Sequence, residues 1–245
     1  MIRLWVSLIA LSAVLAPWGA RGNSCSAVLD GTRRLVLVLV PTMRSSFGSL
    51  LLFERGEDES AWQLVHPAEP VVLGFKGLAW ANAFRSFARA GEPIKREGDG
   101  RTPAGIYRIG RPFGFSATLL KDYLRITADL VCIHDPASPH YNTIISRAIV
   151  GRRARGEDMK TIGLYRRGLV IEYPTDGAAR AGSCIFIHVW RSATRGTAGC
   201  LALPEQRVAA LQEFAAEHRT AVAIIPGPAH ERFADCLPMT DTMPR

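Results

Sequence analysis

The chemistry in this sequence is concentrated between Ile185 and Pro204, where an apolar, strand-like run carries His188 and a loop containing glycine and threonine delivers Cys200. A thiol attacks as its thiolate, so a nucleophilic cysteine needs a base or a cation beside it. A histidine on a rigid strand supplies both if the loop folds back on it, and the sulfur is then expected to be held ionised against the imidazole. Gly196 and Gly199 carry no β-carbon, so the chain can turn sharply and a substrate carbonyl can approach backbone N–H groups. The N–H groups of Gly199 and Cys200 are the expected oxyanion donors. Thr197 is expected to orient the loop or, through its carbonyl, the imidazole. A histidine or a cysteine taken singly more often packs in a core. The glycines, the loop and the export signal described below favour catalysis.

The ordered residues His188, Thr197, Gly199 and Cys200 resemble the active-site signature of the L,D-transpeptidase catalytic domain (YkuD-like), a family of cysteine enzymes acting on peptidoglycan stem peptides. Upstream, Lys95–Tyr107 resembles the family's Gly-Asp-x-x-Thr-Pro-x-Gly stretch. Asp135–Asn142 and Gly182–His188 resemble segments of one proteobacterial branch with a Thr-Ala-Gly-Cys loop. The resemblance runs from Arg34 to about Gly227. Two positions depart from the common signature, in which Ala198 is a second histidine and Ala202 an arginine. The departures bear on substrate choice more than on the Cys–His pair.

The resemblance implies a mainly β fold, a YkuD-like L,D-transpeptidase β-sandwich with a few short helices. It also implies an activity. Cys200 attacks a stem tetrapeptide after meso-diaminopimelate, D-alanine leaves, and an amine resolves the thioester, with His188 as the acid and base. Lys95, Arg96 and Asp99 project from a tight turn that by this resemblance borders the substrate cleft; Asp135 and Asn142 are expected to order their loop or touch substrate, and Trp190 and Arg191 to line the cleft. An internal turn between Arg96 and Asp99 reads equally well on local grounds. No metal or organic cofactor is required. Cys132, His134 and His140 fit no standard zinc spacing. The alternatives are an L,D-carboxypeptidase or amidase on the same scaffold, and a non-catalytic cell-wall-binding protein that has lost activity through Ala198 and Ala202.

The start of the chain supports an envelope location. Met1–Arg3 is positive, Leu4–Pro17 is apolar, and small residues follow to Ser24. This reads as a signal peptide over 1–24, shorter than the ~20 apolar residues of a comfortable membrane span. The mature protein is therefore expected in the periplasm or cell envelope without stable membrane insertion. The net charge of +8 raises nucleic acid as a partner, and export argues against it. An anionic wall or an acidic peptide fits better. The 5 cysteines leave one unpaired in an oxidising compartment. With Cys200 as nucleophile, Cys25, Cys132, Cys184 and Cys236 allow three pairings. Cys25–Cys236 with Cys132 near Cys184 is one of them, and buried thiols are the other outcome.

The elements that must position the pair are mostly strands. Arg34–Val40 is a continuous aliphatic run and reads as a central strand. Ser49–Glu54, Trp62–Val65, Val71–Leu73, Ile106–Ile109, Leu169–Tyr173, Ile185–His188 and Ala221–Ile225 follow as short strands, which suggests an antiparallel sheet or sandwich. Pro204–His218 reads as the one clear helix, with Val208, Leu211, Phe214 and Ala215 as its apolar stripe. Its positive end is a possible support for a thiolate if the spacing is short enough. Phe75–Arg89 reads as a structural loop with Trp80 and Phe84 packed inward. The catalytic domain is expected over 34–227, with 228–245 a surface tail.

Overall fold

The structure is a computed structural model that describes residues 26–57, 61–175 and 177–240. The segment expected to be a signal peptide, 1–24, and Cys25 lie outside the described residues. The strands are β1 (Arg34–Val40), β2 (Phe47–Glu54), β3 (Gln63–Val72), β4 (Leu78–Trp80), β5 (Thr102–Gly114), β6 (Leu124–Arg125) and β7 (Leu130–Ile133). They continue as β8 (Ile144–Ser146), β9 (Gly156–Asp158), β10 (Arg167–Glu172), β11 (Phe186–Val189), β12 (Leu201–Leu203) and β13 (Thr220–Pro226). The helices are α1 (Ser26–Leu29), α2 (Arg147–Val150) and α3 (Glu205–Glu217).

β1 lies between β2 and β13 and is buried from Leu35 to Val40, which explains its unbroken aliphatic sequence. β13 is buried throughout and pairs β1 in parallel. The main sheet runs β10-β11-β12-β3-β2-β1-β13-β5, and β10 also pairs β5, so the order closes on itself. β5 makes this possible by its length: Gly105–Arg108 pairs β13, and the stretch from Arg108 to Gly114 pairs β10. A second sheet of three strands, β8-β7-β9, stands apart.

Three expectations change. The strands expected at Trp62–Val65 and Val71–Leu73 are the two ends of one strand, β3, which runs from Gln63 to Val72. Pro67 and Pro70 are tolerated within it because it is largely exposed and touches β12 at a single register position, Ala202 opposite Val72. The sheet is mixed, since β1–β13 and β11–β12 are parallel. The segment after Pro226 is no surface extension. Ala229 and Phe233, in the 3-10 turn Gly227–Phe233, and Leu237 just beyond it are buried, and Phe233 stacks on Phe87 at 4.3 Å. Trp80 and Phe84 are buried in the same region, as their aromatic character suggested.

α3 packs on β10, β11 and β5. Val208 and Leu211 are buried, while Phe214 and Ala215 lie partly buried at the edge of the core. The helix also buries Gln212, whose amide donates to the carbonyls of Phe113 at 2.9 Å and Gly168 at 2.7 Å. That buried polar side chain is satisfied by strand carbonyls.

Candidate active site

β11 alternates between two apolar clusters. Ile185, Ile187 and Val189 enter the main core together with Leu201 and Leu203 of β12. Cys184 and Phe186 enter a second cluster with Cys200, Phe113 and Tyr165. The two strands pair in parallel, with Ile187 opposite Leu201 and His188 opposite Ala202. The period of two therefore places His188 and Cys200 on one face of adjacent strands. Parallel pairing also explains the loop between them. A chain leaving the end of β11 must return to its beginning before it can start β12. The residues from Trp190 to Cys200 make that return, and they set the cysteine beside Phe186.

The loop is held at Thr197. Its N–H donates to the Leu73 carbonyl at 2.8 Å, and its own carbonyl accepts from the Phe75 N–H at 2.8 Å. Its hydroxyl donates to the Cys200 carbonyl at 2.6 Å and accepts from the Gly199 N–H at 3.1 Å. Thr197 thus orients the loop, while its carbonyl serves Phe75 and not the imidazole. Gly196 permits the close approach, since a β-carbon there would lie 2.6 Å from the Phe75 Cα.

His188 is buried, and its Nδ1 lies 2.8 Å from the Val189 carbonyl. A carbonyl only accepts, so Nδ1 carries the proton and Nε2 keeps its lone pair. The ring of Tyr165 meets the imidazole edge-to-face at 5.3 Å, and its hydroxyl donates to Glu157 Oε2 at 2.6 Å. Cys200 is the free cysteine among the described residues. Its S–H donates to the Cys184 carbonyl at 3.4 Å, and its sulfur accepts from the Phe186 N–H at 3.4 Å. Burial pushes the thiol up to about 12, and the charge of Glu157 adds to the shift. Burial also pushes His188 down to about 4. Both shifts favour the neutral forms, opposite in direction to the ionised sulfur expected from the residue types alone.

Cys200, His188, Thr197 and Gly199 all line one cleft of about 540 Å³, together with Arg191. Arg96, Asp99, Asp135 and Trp190 do not line it. Asp99 closes its own turn: it accepts from Lys95 Nζ at 2.5 Å and from the N–H groups of Arg96 and Arg101, each at 2.9 Å. Asp135 accepts from the Ala137 N–H at 3.1 Å within its own turn. The Gly199 N–H is engaged by Thr197, which leaves Cys200 N–H as the candidate oxyanion donor of the expected two. The N-terminus of α3 lies beyond β12, ~10 Å of strand away from Cys200, too far to act on the sulfur. Lys95, of the turn expected at the cleft border, lines it, as do Glu97, His134, Glu157, Tyr165 and Ser183, which the sequence does not mark as site residues.

Cys132 and Cys184 form a disulfide across 52 residues of sequence. Cys236 is also disulfide-bonded, and the partner expected for it, Cys25, lies outside the described residues. Among the described residues there is no group of three His, Cys, Asp or Glu side chains able to hold a metal ion, and no helix long and apolar enough to cross a membrane.

The profile of the YkuD family, the L,D-transpeptidase catalytic domain, matches residues 49–224. This chain belongs to the YkuD family. The YkuD match takes in β11, the Thr197 loop and Cys200, along with most of the closed sheet. Within this YkuD domain Ala198 is an exposed cleft residue, and Ala202 is buried opposite His188. No curated protein matches the chain. Among solved structures, the helical cell shape determining protein Pgp2 from Campylobacter jejuni is similar at 15% identity and a TM-score of 0.39, over 83% of this chain and 54% of that one. Bd1075 from Bdellovibrio bacteriovorus shares 16% identity at a TM-score of 0.38, over 82% of this chain and 54% of that one. The L,D-transpeptidase (Yku) from Stackebrandtia nassauensis shares 12% identity at a TM-score of 0.32, over 80% and 58%. The chain thus spans little more than half the length of each of these proteins.

Proposed function

We propose that the protein is an exported peptidoglycan L,D-transpeptidase working through a thioester on Cys200. The observation that carries this reading is the shared sheet face of Cys200 and His188 on the wall of one cleft. Nε2 of His188 takes the thiol proton as the sulfur attacks the carbonyl of a stem tetrapeptide. Burial favours both neutral forms, so charge develops during attack, and the Cys200 N–H is the candidate donor to the oxygen that receives it. His188 returns the proton to the departing D-alanine amine, then accepts a proton from the incoming amine. Arg191, exposed on the cleft rim, is suited to a substrate carboxylate. Family membership and the charged, apolar-led start of the chain support an envelope location.

Digestion of purified sacculi tests this. The mature protein is expected to yield cross-linked dimers and muropeptides lacking terminal D-alanine, and His188→Ala to slow their formation by about two orders of magnitude or more. Sacculi left unchanged by folded wild-type protein would end the proposal. Trimmed monomers without dimers would identify a hydrolase instead.

A further inference from the structure

We propose that Glu157 is the receptor for the ammonium group of the incoming acceptor, and that it biases the Cys200 thioester toward aminolysis over hydrolysis. This rests on the transpeptidase reading above. Glu157 lies on β9 opposite Cys132 of β7 and lines the cleft that holds Cys200 and His188. It is half-buried, and among the described residues it forms no ion pair. The lysine in the cleft wall, Lys95, is committed to Asp99 and to the Arg96 carbonyl. Arg191 and Arg195 come from the exposed return loop.

A carboxylate in this place opposes the first half of the reaction. Its negative charge disfavours thiolate at Cys200, and its own burial raises its carboxyl above the usual range. Glu157 hinders acylation, and among the described residues the one cationic neighbour acting on it is the titratable His134 on the same cleft wall, with no ion pair formed; it is matched to a cation that arrives later. The acceptor in transpeptidation is a primary amine, which travels in water as an ammonium ion. Glu157 is placed to meet it near the base, because Tyr165 bonds its Oε2 and packs on the His188 ring. Glu97 adds a second carboxylate to the same cleft, held by the hydroxyls of Tyr141 at 2.5 Å and Ser183 at 2.7 Å.

The proton balance closes without another reactant. The bound ammonium gives one proton to Glu157, which passes it to solvent. The neutral amine attacks the thioester carbon, the N–C bond forms and the C–S bond breaks. His188 takes the second proton from nitrogen and delivers it to sulfur. The products are the amide, the free thiol and one proton. The raised carboxyl of Glu157 suits it to the first transfer.

The experiment loads the full mature chain with a stem tetrapeptide and offers the thioester two nucleophiles. One is a stem tripeptide bearing a side-chain ammonium, and the other is hydroxylamine, which is uncharged at neutral pH. Products are resolved by mass for wild type, Glu157→Gln and Glu157→Asp. Glu157→Gln is expected to lower the ratio of tripeptide product to hydroxamate by about tenfold or more, since a half-buried charge partner is lost. Glu157→Asp, which keeps the charge, is expected to retain more of that ratio than Gln. A ratio unchanged by Gln, or equal loss of both products, would overturn the receptor role. Absence of any thioester in wild type would overturn the transpeptidase reading with it, a result distinct from normal acylation with an unaltered ratio.

Discussion

The Cys200 thiol donates to the Cys184 carbonyl at 3.4 Å, and Cys184 is the residue that the disulfide ties to Cys132. Cys184 has a φ of 54°, in the left-handed region that residues with a β-carbon seldom adopt. Its N–H is held by Asn142 Oδ1 at 2.8 Å. Its neighbours are clamped too: the Ala181 carbonyl accepts from the Tyr173 hydroxyl at 2.6 Å, and the Gly182 N–H donates to the Tyr141 oxygen at 3.0 Å. The three-stranded sheet carrying Cys132 is thereby joined to the surroundings of the nucleophile.

Replacing both Cys132 and Cys184 with serine is expected to lower stability by about 2–4 kcal/mol, because the bond closes a long loop in the unfolded chain. It is also expected to slow Cys200 acylation, since the carbonyl facing the sulfur loses its anchor. Denaturant titration and single-turnover acylation measure the two effects. A midpoint and a rate both equal to wild type would show that hydrogen bonds alone hold the 181–184 segment.

His188 makes the fold sensitive to acid. Its folded value, about 4, lies below the ordinary 6.5, so between those values the unfolded chain binds a proton that the folded chain does not. Its contribution is fully present above pH ~6.5 and is lost as pH falls toward 4, on the order of 3 kcal/mol in all. Glu157, raised by burial, acts with the opposite sign in an overlapping range. The difference between wild type and His188→Gln in denaturant titrations at stepped pH isolates the histidine. The gap is expected to narrow on acidification, and a gap independent of pH would contradict the buried neutral imidazole.

Thr197→Ala removes both hydroxyl bonds that shape the nucleophile loop. A loss of about 1–2 kcal/mol in stability is expected, with slower acylation. Thr197→Ser keeps the hydroxyl and is expected to restore most of the rate. Equal behaviour of Ala and Ser would assign the effect to the lost methyl.

Much of this was legible in the residues. The aliphatic run at β1 and the apolar stripe of the 205–217 helix follow from local pattern, because each repeats or alternates within a few positions. Glu157 and Tyr165 left no such trace. They stand well upstream of Cys200 in sequence, in 3-10 turns and a three-residue strand, and meet the cleft only through tertiary packing. The pull of burial toward neutral forms at Cys200 and His188 was hidden for the same reason, since burial is a property of the folded molecule. For Asp99 the family resemblance points to the cleft and local pattern to an internal turn, and the turn is what consumes its carboxylate. The buried spacing of Ala229, Phe233 and Leu237 was visible, but the prolines around it suggested an extension.

Intact-mass analysis of the mature protein after brief incubation with a stem tetrapeptide tests the role of Cys200 most directly. An adduct equal to the donor less D-alanine is expected, located on Cys200 by peptide mapping and absent from folded Cys200→Ala. Turnover by Cys200→Ala, or an adduct on any other residue, would contradict it.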